Sequence, residues 1–187
     1  MKSYRLKRKD NFLAFTIDYQ QGKHFNKRQK FLITLFLHDL YNHYKMRANL
    51  YVYIGYFDYD PKAMELASCS YLDDWYRPRE FSVHVAKEYI ISKNVFELLS
   101  HEFSHIEQYI RKRAQLKMIG GKLNHFWNGE NYTKEVNELA IFKKREDYDM
   151  LPWEIEARQT EILGTNFYNS LTQEQKSLFK DETQILI

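Results

Sequence analysis

The sequence predicts an α+β fold, on three observations. Aromatic and β-branched residues dominate Leu50–Phe57 and alternate with polar ones over 80–87, which is how strands read. Apolar residues recur at helical spacing over 26–46, 94–118 and 152–169. The 187 residues also include 15 Tyr and 13 Phe against 6 Gly and 3 Pro. Such side chains bury large areas and suit a sheet packed on helices.

Taken in order, 11–19 reads as a strand, and 26–46 as a long helix, because Phe31, Leu35, Leu37/His38, Leu40/Tyr41 and Tyr44 recur at helical spacing. The strand Leu50–Phe57 is closed by a turn at Asp60-Pro61. Residues 62–72 fit either a short helix or a strand, and 80–87 is a further strand. Asn94, with Glu97 three residues on, caps a helix to about Met118 that Gly120-Gly121 stops. Residues 122–150 read as irregular, with a loop at Trp127-Asn128-Gly129-Glu130-Asn131. Pro152 occupies the first turn of a helix to 169, and Thr172-Gln173-Glu174-Gln175 caps a final short helix over 172–180.

No repeat, low-complexity stretch or Pro/Gly linker divides the chain, so one domain over 1–187 is expected, with the basic segment 1–10 as an arm. The net charge of +3 is uneven: residues 1–30 hold nine Lys/Arg and two Asp, or +7, leaving −4 for the rest. No nucleic-acid fold signature accompanies that basic end, so a solvated arm is expected rather than a nucleic-acid partner. Phe12-Leu13-Ala14-Phe15 is too short for a signal-peptide core, and the run from Phe31 to Leu37 is far below membrane-spanning length. Cys69 is the one cysteine, which excludes an intrachain disulfide. The expectation is a soluble, cytoplasmic protein.

The segment with chemical content is His101-Glu102-Phe103-Ser104-His105. Histidines four apart on a helix are neighbours, so both imidazoles can bind one zinc ion at about 2.0–2.1 Å. The glutamate after the first histidine can then act as general base toward a metal-activated water. Chance alone produces such a five-residue pattern in some sequences, so the rest of the helix matters. Taking about 100° per residue from His101, His105 falls near 40° and Glu102 near 100°. Val95, Phe96, Leu99, Phe103, Ile106 and Ile110 share a separate arc. A core face and a histidine face are thus distinct. The plainer alternative is a pair of hydrogen-bonded histidines beside a surface glutamate. His24, His38, His43 and His84 have no ligand spacing.

A catalytic site of this kind needs a third protein ligand and an open position. The stretches His101–His105 with Gln108, Trp127-Asn128-Gly129 and Pro152-Trp153-Glu154-Ile155-Glu156-Ala157 together resemble the gluzincin metallopeptidases. More closely, they are similar to the small minigluzincin-like proteins often encoded by phages and bacteria. The resemblance spans about residues 81–165, and nothing specific matches the first 80. It implies a small twisted sheet on the His-Glu helix with a glutamate-bearing helix behind. It also implies zinc as cofactor, a peptide or protein substrate aligned by an edge strand taken as Phe81–Val85, and Glu154 as third ligand. Helix geometry agrees, because Ala157 and Gly164 make a low-volume face beside Glu154 and Glu161; Glu156 is the alternative. Arg158 stands where the pattern has a supporting Asp, so that carboxylate comes from elsewhere, with Glu161 a candidate, or is absent. His125, Tyr132, Tyr148 and Arg158 are all candidates for stabilising an oxyanion.

The expected function is therefore zinc-dependent peptide hydrolysis, with His101, His105 and Glu154 as ligands and Glu102 as base. A non-catalytic, zinc-stabilised binding protein or phage structural or regulatory protein is the alternative. An open fourth position and Glu102 favour catalysis over a closed structural site.

Overall fold

A computed structural model describes residues 4–8, 11–17, 25–59, 66–73, 77–142 and 145–179. The chain is α+β. Five strands form the main sheet: β1 (Tyr4–Arg8), β2 (Asn11–Ile17), β3 (Leu50–Phe57), β4 (Ala67–Tyr71) and β5 (Glu80–Ala86), in the order β1-β2-β3-β5-β4. The three central strands run parallel and both edge strands antiparallel to their neighbours. Tyr4–Arg8, expected as part of a basic arm, is thus the edge strand β1. The turn expected at Asp60-Pro61 and His24 fall outside the described residues.

The edge strand on the other side corrects an expectation. Residues 81–85 were expected at the edge, but β5 lies inside the sheet, with Phe81 opposite Val52 of β3 and Tyr71 of β4. The ambiguous stretch supplies the edge as β4. Its residues are small or polar, so its own composition says little about strand or helix; pairing with β5 decides.

Helix α1 (Lys27–His43) crosses from β2 to β3. Asn26 opens it with a capping box: its side chain accepts from the amides of Arg28 and Gln29, and Gln29 Oε1 accepts from the Asn26 amide at 2.9 Å. Its buried stripe is Leu32, Ile33, Phe36, Leu37, Leu40 and Tyr41, while Phe31 and Leu35 are 62% and 41% exposed. The helix carries apolar residues on two faces, and the denser one takes the core.

Helix α2 (Val95–Ile110) packs against β4 and β5 on one side and against α5 (Pro152–Ser170) on the other. The α2–α5 contact is made close by small residues. Ala157 is fully buried, and Ser100 Oγ donates to the Thr160 carbonyl at 2.6 Å. A Cβ built on Gly164 would stand 2.4 Å from backbone atoms of Phe96 and Glu97, so no larger residue fits there. Phe36, Phe96, Phe167 and Phe179 tie α1, α2, α5 and the C-terminal turn into one aromatic cluster.

The expected helix to Met118 is too long. Lys112, at φ 60, ends α2, and the amide of Arg113 donates to the Gln108 carbonyl. β6 (Ala114–Ile119), β7 (Lys122–Trp127) and β8 (Glu130–Asn131) then form a second, three-stranded sheet. Gly120-Gly121 and Asn128-Gly129 all have positive φ and make its two tight turns. Residues 122–150, expected as irregular, also hold α3 (Thr133–Phe142) and α4 (Arg145–Tyr148). After α5, the capping box of Thr172 and Gln175 starts α6 (Gln173–Lys176). Among the described residues no helix is long and apolar enough to cross a membrane.

Candidate metal centre

One helix supplies two of the three converging groups and a second supplies the third. His101 and His105 lie on one face of α2, with ring centroids 5.0 Å apart. Pro152 begins α5, so Glu154 sits in its first turn, where a carboxylate is favoured by the helix dipole. His101 Nε2 is 3.2 Å from Glu154 Oε2, and His105 Nε2 is 3.5 Å from Glu154 Oε1. Among the described residues these three form the group able to hold a metal ion, each offering a ligand atom within 4.8 Å of the others.

Those spacings test the fit to zinc. Ligand atoms about 2.0–2.1 Å from a tetrahedral ion stand about 3.3–3.4 Å apart along each edge. The two nitrogen–oxygen distances, each to a different oxygen of Glu154, lie near that value, so the three side chains converge at about the spacing zinc requires. Two imidazoles and one carboxylate are also the donor set of a catalytic zinc site with a position left open.

Both rings are held from behind. His101 Nδ1 donates to Glu161 Oε1 at 2.9 Å, so the carboxylate comes from two turns along α5. Arg158, which stands in the expected place of a supporting acid, instead pairs with Asp149 at 2.5 Å. His105 Nδ1 meets Gln108 Oε1 at 2.9 Å.

Charge within the cluster is strongly shared. Burial pulls the His101 pKa down, but the hydrogen bonds it donates to Glu154 and Glu161 and the charge of Glu102 outweigh it and raise it to about 9. His105 is raised in the same way, against its burial, by Glu154 and Glu102. Burial pushes Glu154 up, yet the two histidines hold it well below the ordinary carboxylate range. For the metal-free protein, the His101 contribution is complete below its ordinary value of 6.5 and fades as pH rises through about 9. The Glu154 contribution is present above its ordinary value of 4.5 and lost in acid. Metal-free protein should therefore melt highest between about pH 4.5 and 6.5 and progressively lower toward pH 9. A melting temperature that is flat from pH 6 to 9 would show that the pairing does not stabilise the fold.

Glu102 is buried at 5% exposure rather than the surface charge of the plainer alternative. Its charge helps raise His101 and His105 and adds to the upward shifts that burial mainly causes at Cys69 of β4 and Tyr109. Glu156 is committed elsewhere. Arg113 grips it through two bonds of 2.5 and 2.7 Å, also pairs with buried Glu107, and lies over the Trp127 ring.

Of the four candidates for an oxyanion donor, Tyr148 is beside the cluster. Desolvation of its hydroxyl end, then the charge of and hydrogen bond to Glu154, push it above the ordinary range, although the residue as a whole is 44% exposed. Arg158 is paired as described, Tyr132 packs edge-on against Trp153, and His125 lies half-buried on β7. The supporting role of Gln108 was not anticipated, although its place three residues after His105 on a helix was a usable signal. No protein-family profile, curated protein or solved structure matches the chain.

Proposed function

We propose that the chain is a zinc-dependent peptidase of the gluzincin type, with a minigluzincin-like fold, acting on a peptide or protein substrate. The observation that carries this reading is the convergence of His101, His105 and Glu154 at zinc-ligand spacing, with a fourth, buried acid, Glu102, on the same helix. A structural site has no use for that extra acid.

Zinc held by these residues would supply Lewis acidity toward a water and a scissile carbonyl. Glu102 takes the proton from the attacking water and passes it to the leaving amine. Glu161 and Gln108 keep the two rings oriented. Tyr148, whose hydroxyl stays protonated beside Glu154, would donate to the developing oxyanion. The outer edge of β4, packed beside α2, offers backbone groups for an extended substrate to pair with.

Purified protein should carry about one zinc per chain and cleave members of a diverse peptide library. His101→Ala and His105→Ala should each lose stoichiometric zinc, whereas His84→Ala on β5 should keep it. Full zinc in either of the first two variants would put the metal elsewhere. A zinc-loaded wild type that cleaves nothing would leave the zinc-stabilised binding protein.

A further inference from the structure

We propose that Gln108 is a positioning residue: a buried amide relay that selects the nitrogen His105 presents to the metal and ties that ring to the helix carrying Glu154. The inference deepens the metal-centre reading and rests on it.

Gln108 follows His105 by three residues on α2, so its side chain lies on the same helix face, and it is fully buried. Its Nε2 is 3.0 Å from the Trp153 carbonyl oxygen and its Oε1 is 2.9 Å from His105 Nδ1. A carbonyl oxygen can only accept, so the amide NH2 must face Trp153. That leaves Oε1, which can only accept, against the ring. His105 Nδ1 must therefore carry a proton and donate it. Nε2 is then the nitrogen turned toward Glu154 Oε1, 3.5 Å away. Turning the amide over would oppose two acceptors at Trp153.

The relay also links two ligands through one side chain. Trp153 directly precedes Glu154 and is itself held, with Trp127 at 6.2 Å and Tyr132 edge-on at 5.7 Å. A shift of α5 against α2 would break the Gln108–Trp153 bond and swing Glu154 away from His105 together. The two histidines are supported differently. The acid on His101, Glu161, has a side chain 42% exposed to solvent, whereas the support on His105 is neutral and dry. A second carboxylate at 108 would be an unscreened charge facing a carbonyl oxygen. An amide orients the ring without that cost and without adding negative charge beside the donor set.

Gln108→Leu keeps the approximate volume and removes both bonds. In folded protein, zinc affinity by chelator competition should fall about 10–100-fold. Residue packing alone would lower the melting temperature of metal-free protein and leave that affinity unchanged. Equal affinity in wild type and variant therefore overturns the relay. In zinc-loaded wild type, nitrogen-15 spectra should show His105 bound through Nε2 with a slowly exchanging proton on Nδ1; binding through Nδ1 overturns the relay even where the variant fails to fold. If wild type holds no zinc, the metal-centre reading falls by itself. The relay is then judged on metal-free protein, where the Gln108 side-chain amide protons must exchange slowly, and rapid exchange rejects it.

Discussion

Glu102→Gln should leave zinc content and fold intact while peptide hydrolysis falls by at least about a hundredfold, the scale of a positioned acid–base group. The substitution is nearly isosteric, and Glu102 is not among the three converging ligands, so the metal site keeps its donors. What it removes is the ability to accept a proton from water and hand it on. Glu102 is 5% exposed and lies close enough to both histidines to raise their pKa values, so bulk water is poorly placed to replace it. Hydrolysis should be followed by mass spectrometry on one defined peptide, with zinc measured on the same sample. Unchanged turnover in a zinc-loaded variant would mean that the base lies elsewhere.

Glu154→Gln should weaken zinc binding by more than about a hundredfold, beyond what the loss of an outer partner costs, while Glu156→Gln should leave it nearly unchanged. The two carboxylates are two residues apart, so they point about 160° apart around α5. One helix cannot offer both to the same ion. Glu154 faces both histidines, whereas Glu156 is held by Arg113, which also bonds Glu107. Glu156→Gln should therefore appear as a lowered melting temperature, because it opens a partly buried clamp between α5 and the end of α2. Chelator competition on both variants in one buffer decides the matter. The reverse result would move the ligand to Glu156, and zinc retention in both would require a third ligand from outside α5.

The sequence by itself determined the elements whose signal is local and periodic. The α+β class, α1, β3, β5, the start of α5 and the separation of a histidine face from a core face on α2 were all legible. Each depends on spacing within one segment, on a cap such as Thr172, or on Pro152 at a helix start. That Glu154 rather than Glu156 faces the histidines was legible too, from the family pattern the segment resembles and from Ala157 and Gly164, which mark the face that presses close to α2.

Tertiary structure decided what depends on partners distant in sequence. Ala114–Ile119 contains good helix formers and became a strand because β7 pairs with it across Gly120-Gly121. β4 became the edge strand because β5 was available to pair with it, which no property of Ala67–Tyr71 alone announces. Spacing marked Glu161 as a candidate support, but it could not reveal that Arg158 turns to Asp149, which histidine Glu161 reaches, or that Gln108 spans from His105 to the Trp153 carbonyl. Periodicity reports which face of an element is buried, whereas a hydrogen bond between elements depends on how two of them are set against each other.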